Sequence, residues 1–311
     1  MATIPPLSGS SPSLTHESVF GPAMTLSAPS PAAPSAAPVP PVLTWPIFAG
    51  LGIEAVVTSR AGGVSTGGFG SLNLGLHVGD DAESVLTNRR RAASAIGASL
   101  EDLVFCEQVH RPEVAVVTTA DRGRGAVEAA DALPGADALI TLEPGPVLVI
   151  MVADCVPIVL FDPVRHILAG VHAGWTGTVR GVTSAVLERL RALGSDPADL
   201  LVGIGPSIHP DRYQVGADVV EAATARFGDR VGEVVRPDGT GAWNFDLWQA
   251  NLIQLTDAGV PAAQVQLAGL DTGPGTPFFS HRSEAPCGRF AVLARLSENS
   301  ESPKSPEEIS Q

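Results

Sequence analysis

Apolar positions along this chain fall into two kinds of run. One kind is short and continuous. "IEAVVTS" (53–59) is followed by further candidate strands at about 103–109, 113–118, 137–141, 147–153, 156–161, 167–171, 199–204 and 288–296. Where every position of a strand is apolar, both faces are buried, so layers of helix or sheet must cover each side. The other kind has helical spacing. Residues 83–97 read as a helix closed by Gly97, and a second helix is expected over about 176–193. Val179, Val182, Val186 and Leu190 form its single apolar stripe and Gly194 stops it. Helices near 216–226 and 246–258 complete the pattern. With no internal repeat and no second linker, residues 43–296 read as one mixed α/β domain.

The ends lack this pattern. Residues 1–42 are rich in Pro, Ser and Ala, and residues 297–311 are polar. Such segments cannot bury enough apolar surface to offset the entropy of ordering, so both are expected to be disordered. The first segment has neither the basic start nor the continuous apolar stretch of a secretory signal.

Bulk composition narrows the function. A hydrophobic content of 44% with 17% charged residues is that of a soluble globular protein. No apolar run reaches the roughly 20 residues that span a bilayer. A formal charge of −14 repels polyanions, so the expected partner is a small molecule rather than nucleic acid or a membrane. Three cysteines (Cys106, Cys155, Cys287) are too few and odd in number for a disulfide framework, which points to a reducing, cytoplasmic setting.

Chemistry concentrates at "MVADCVPIVLFDPVRHILAGVHAGW" (151–175). "FDPVRH" marks a turn, so the flanking runs read as a hairpin. If the loop is Asp162 to Arg165, Phe161 faces His166 and Cys155 lies directly across from His172. Opposed Cβ atoms are about 5 Å apart, close enough to share a metal or a proton. His110, in "EQVHRPEV", stands at a strand end. One Cys and two His would make a three-ligand zinc site with an open fourth position, the arrangement of catalytic rather than structural zinc. His77, His166, His209 and His281 offer alternative ligands, and Cys155 could instead act as a nucleophile with His172 as its base.

Several motifs occur in one order: "TSRAGGVSTGGFGSLNLGLHVGDD", "EQVH", "ADALIT", "VADCVPIVLFDP", "VHAGW", "GIGPSI…YQVG", "FDLWQANLIQL" and "FFSHR…GRFAVL". Together they resemble the YfiH-type family, also called the polyphenol oxidase or laccase-domain family and, in some bacteria, peptidoglycan editing factor. The resemblance spans about 46–296. It implies a layered α/β sandwich, related to Cys–His deamidase toxins, and zinc held by His110, Cys155 and His172. It also implies purine nucleoside phosphorylase activity, with deamination of adenosine and cleavage of methylthioadenosine. Editing of cell-wall precursors, or copper-dependent polyphenol oxidation, are the alternatives.

The chain departs from the family pattern in three places. Thr176 stands where the family has arginine, and Arg180 one turn later is a candidate substitute. Asp211 and Arg212 replace cysteines, and Asp271 replaces another. For the chemistry, zinc lowers the pKa of bound water from near 16 to about 7. Asp154 and Glu107 are candidate proton shuttles, Asp154 having an equally weighted structural reading. The Gly-rich loop 60–75, with Arg60, Ser71 and Asn73, is a candidate cradle for phosphate, and His77 and Arg180 are further candidate substrate or phosphate contacts. Seven histidines in the whole chain are too few for a multicopper centre, although copper could replace zinc at a single site.

Overall fold

The computed structural model describes residues 24–27 and 39–297. Two six-stranded mixed sheets form its centre. The first runs Thr25–Ser27, Val42–Thr44, Ile53–Thr58, Phe290–Leu296, Val147–Val152, Leu103–Phe105, with only the last pair parallel. The second runs Val265–Leu267, Leu201–Ile204, Val156–Asp162, Ile167–Ala173, Ala138–Thr141, Val114–Val117, with its two outermost pairs parallel. The helices are α1 (Ala82–Ser94), α2 (Trp175–Arg180), α3 (Val182–Ala192), α4 (Ala217–Phe227), α5 (Val231–Val234), α6 (Leu247–Asp257) and α7 (His281–Glu284).

Burial explains the layering. Leu148, Ile150 and Val152 of the first sheet interdigitate with Val159, Phe161 and Leu168 of the second. The outer face of the first sheet packs on α1 through Val147, Val149, Ala92 and Ala93. The outer face of the second is covered by α3 and α6, through Val186, Leu190, Leu252 and Leu255. Strand Val147–Val152 is buried at every position because it has a layer on each side. The expected layered α/β sandwich is thus what the chain forms. No helix among the described residues is long and apolar enough to cross a membrane.

Three expectations need correction. Part of the segment expected to be disordered is a strand: Thr25–Ser27 pairs with Val42–Thr44, and Met24 packs on the inter-sheet core. The remainder of residues 1–38 and residues 298–311 lie outside the described residues. The single helix expected over 176–193 is two, because Gly181 adopts φ +85° between α2 and α3. That conformation costs an L-residue about 1–2 kcal/mol. Gly181→Ala is therefore expected to lower unfolding stability by about that much, as measured by urea titration. An unchanged midpoint would mean the break is not where the backbone is held.

The third correction is the hairpin register. Phe161 pairs with Leu168 and Asp162 with Ile167, so His172 faces Pro157 rather than Cys155. The reason is local. The Asp162 carboxylate accepts from the backbone N–H of Val164 and of Arg165, both at 2.8 Å, and His166 closes the turn at φ +56°. Asp162 is therefore the last paired residue of its strand, and the loop is residues 163–166. The displacement is two residues, and side chains alternate with period two, so Cys155 stays on the same side as His172.

Candidate metal centre

The seam between the sheets is where the chain crosses from Val147–Val152 to Val156–Asp162. The crossing turns at Asp154, which adopts φ +84°, and Cys155 follows, half-buried. His172 comes from the neighbouring strand and is buried. His110 arrives on the loop after Leu103–Phe105 with φ +61°, exposed to solvent. The expected strand 103–109 ends at Phe105 so that this loop can turn inward. Gln108, also left-handed, pins the loop by bonding both the N–H and the carbonyl of Met151. One ligand atom from each of His110, Cys155 and His172 lies within 4.8 Å of the others.

A fourth residue organises the three. Asp137 has no solvent exposure. Its Oδ1 accepts from the His110 backbone N–H at 2.9 Å and lies 2.8 Å from His172 Nδ1. Its Oδ2 accepts from the Arg111 N–H at 2.8 Å. The contact to Nδ1 places that proton opposite the carboxylate and leaves Nε2 as the atom available to a metal, the carboxylate–histidine arrangement that supports metal sites. Burial works against ionisation of Asp137, but its bonds to His172 and to the two backbone amides hold the carboxyl below its ordinary value.

Electrostatics couple the same groups. Burial opposes ionisation of Cys155, yet the charge of His172 and hydrogen bonds from both histidines outweigh it and draw the thiol down to about 6. Burial disfavours a charged His172, but the Cys155 thiolate and Asp137 prevail and push it up to about 9. The donor set of one thiolate and two imidazoles suits zinc or copper. Exposed His110 leaves one side of the cluster facing solvent. All three cysteines are free; Cys106 and Cys287 are buried, and burial pushes both thiols up, Cys106 to about 12, which leaves Cys155 as the reactive thiol.

Gly174 forms the remaining wall. A Cβ there would lie 2.9 Å from Cys155 Sγ and 2.8 Å from His110 Cδ2, while its φ of −72° suits any residue. Gly174→Ala should therefore leave the fold intact and weaken metal affinity by at least about tenfold, the scale of a disturbed supporting shell. Calorimetric metal titration checks this, and unchanged affinity would show that the site yields freely.

The other sequence candidates have different places. Both Asp154 oxygens are occupied, Oδ1 by the Thr272 hydroxyl and Oδ2 by the Arg282 N–H, each at 2.6 Å. These contacts favour its structural reading. Glu107 Oε2 accepts from the Gly135 N–H. Asn73 is fully buried and uses its amide on Gly75, Asp80 and Arg289, leaving nothing for a ligand. Ser71 bonds Gly63 and the Arg60 carbonyl. Arg60 pairs with Glu284 of α7, the helix whose Arg282 N–H holds Asp154. His77 is exposed to solvent. Arg180 is exposed at the end of α2. Asp137, Gln108 and Gly174 were not singled out from sequence, although "ADALIT", "EQVH" and "VHAGW" contain them.

A layered α/β domain with a Cys–His pair beside one hairpin, joined by a second His from a neighbouring loop, defines a laccase-domain, YfiH-like protein. The chain belongs to the family described as multi-copper polyphenol oxidoreductase laccase, whose model matches residues 54–297. Purine nucleoside phosphorylase YlmD of Geobacillus stearothermophilus is 40% identical over 241 residues, covering 77% of this chain and 87% of that protein. Adenosine deaminase RL5, from an unknown prokaryotic organism, is 40% identical over 232 residues, covering 74% and 88%. The crystal structure of YlmD from G. stearothermophilus superposes with TM-score 0.79 at 38% identity, covering 83% of this chain and 96% of that one. The Bacillus licheniformis hypothetical protein YfiH superposes with TM-score 0.80 at 33% identity, covering 83% and 97%.

Proposed function

We propose that this chain is a metal-dependent purine nucleoside phosphorylase that also deaminates adenosine. Its metal is zinc, held by His110, Cys155 and His172, and its substrates are adenosine, inosine and methylthioadenosine. The carrying observation is the cluster of three soft and borderline donors, oriented by Asp137 and open to solvent at His110. Three protein ligands with a free position are the catalytic arrangement. The relatives named purine nucleoside phosphorylase and adenosine deaminase support the choice of reaction.

When bound, zinc supplies Lewis acidity at the open side of the cluster. The chain's own residues prepare that side. Asp137 fixes the His172 tautomer and anchors the His110 backbone with the same carboxylate. Gly174 keeps the approach to Cys155 and His110 clear. Asp154 and Thr272 hold the turn that presents Cys155, and Arg60, the phosphate contact retained from the Gly-rich loop, exchanges its Glu284 partner for phosphate on binding. The family description names several coppers, yet among the described residues one group of three metal-capable side chains occurs, at this site.

The test is metal content together with chromatography of products from adenosine and inosine, with and without phosphate. Free base is expected only when phosphate is present, and inosine is expected from adenosine without it. A zinc-loaded protein that turns over neither nucleoside under any of these conditions would overturn the proposal. Copper in place of zinc would overturn the metal assignment alone.

A further inference from the structure

Near the C-terminal end of α2, where Arg226 lies against Gly181, α3, α4 and α6 line a cleft of about 270 Å³. Its charged lining is Arg191, Arg226 and Arg230 against Glu188 and Asp257. The balance is positive in a chain whose formal charge is −14. Arg230 is committed, pairing with Glu233 and with Asp257. The other two arginines are not. Arg226 donates to Ser184 Oγ at 2.6 Å and to Gln254 Oε1 at 3.2 Å, and Arg191 donates to the Ala258 carbonyl. Among the described residues neither guanidinium meets a carboxylate.

We propose that this cleft is a binding site for a small phosphate-bearing molecule, separate from the metal centre. Two guanidinium forks with neutral partners match the geometry of phosphate oxygens and exchange weak acceptors for charged ones on binding. The Ser184 hydroxyl, which donates to Gln254 Oε1 at 3.1 Å, is a neutral donor that exchanges that acceptor for a phosphate oxygen on binding. Gln254 is buried at 4% exposure and forms the floor. The volume admits inorganic phosphate or a short phosphomonoester, and is small for a nucleotide.

The cleft is wired to α2. Gln254 Nε2 donates to the Thr178 carbonyl of that helix at 3.1 Å, while its Oε1 accepts from Arg226. The Arg226 guanidinium also lies against Gly181, where α2 ends. The other end of α2 is capped by Gly174, the residue packed on Cys155 and His110. An anion that draws Arg226 away from Gln254 therefore alters a contact of the helix that walls the metal centre.

The experiment is calorimetric titration of the protein, metal-loaded except for Cys155→Ala, which loses its metal, with inorganic phosphate and, separately, with glycerol 3-phosphate. Wild type is compared with Arg226→Gln, Arg191→Gln and Cys155→Ala at constant ionic strength. Affinity is expected to fall by at least about tenfold in each arginine variant, the loss of one charge-assisted contact, and to persist in Cys155→Ala. Tighter binding of glycerol 3-phosphate than of phosphate would identify the natural ligand as a monoester, and the reverse as the free ion. Absence of binding to wild type overturns the proposal. So does binding that Cys155→Ala abolishes while both arginine variants keep it, because the ligand then sits at the metal centre. Should Arg226→Gln fail to fold, Arg191→Gln decides alone. Phosphate binding that both arginine variants keep, with or without Cys155, likewise overturns the proposal, because the ion then sits elsewhere, as at Arg60, and this separates the cleft from the nucleoside chemistry proposed above.

Discussion

A Cys155→Ala variant is expected to remain folded, lose its bound metal and lose turnover of adenosine and inosine by about 10³-fold or more. The size follows from what the thiolate does. It is the one charged donor of the cluster, and both histidines bond to it, so its removal takes away the strongest attraction for a divalent cation. The fold should survive, because Cys155 is half-buried at a sheet crossing, at the margin of the inter-sheet core rather than inside it. His110→Ala separates ligand from nucleophile. If Cys155 is a ligand, the two variants share loss of metal and loss of activity. If it is a nucleophile paired with His172, removing His110 leaves turnover within a few-fold of wild type. Metal analysis, circular dichroism and product chromatography on both variants decide the matter.

Asp137 carries the second large expectation. Asp137→Ala leaves the N–H groups of His110 and Arg111 and the His172 Nδ1 without their common acceptor. Breaking a buried charged network in this way costs about 3–5 kcal/mol, read as a lowered denaturant midpoint. Asp137→Asn is milder in stability, since it keeps shape and an acceptor oxygen. It should still lower metal affinity by about 10–100-fold, the usual cost of a lost carboxylate behind a ligating histidine. The pH dependence has a definite sign. The carboxyl is held below its ordinary value in the folded protein, so its contribution is complete above the unfolded value, about 3.9, and disappears as pH falls through the lowered one. Wild type should accordingly lose stability on acidification in that range, and Asp137→Asn should lose less. Parallel acid-unfolding curves would contradict this.

How far the sequence shows these features depends on how local their causes are. The buried strands are legible because each is apolar on both faces over its whole length. The side-of-sheet relation of Cys155 to His172 survived a register misplaced by two residues, because alternation repeats every second position. The turn itself is less legible: Asp162 is a common loop residue, yet it pairs with Ile167 and its carboxylate caps the turn that follows. Asp137 stayed hidden for a different reason. Its partners lie 27 and 35 residues away, and an aspartate at the start of a strand reads as ordinary punctuation. Asn73 and Ser71 show the opposite error, polar residues in a Gly-rich loop that serve its own backbone. Small strands such as Gln214–Val215 and Trp243–Phe245 are too short to carry a period at all.

The seam location of the cluster has a consequence for how the protein moves. His110 hangs from the edge strand of one sheet, while Cys155 and His172 belong to the hairpin of the other. An ion gripping all three is a rivet through two plates whose facing sides are largely apolar. Backbone amides of Leu103–Phe105 and of Ile167–Ala173, though in different sheets, should then slow their exchange with solvent deuterium together when metal is added, and loosen together when it is stripped.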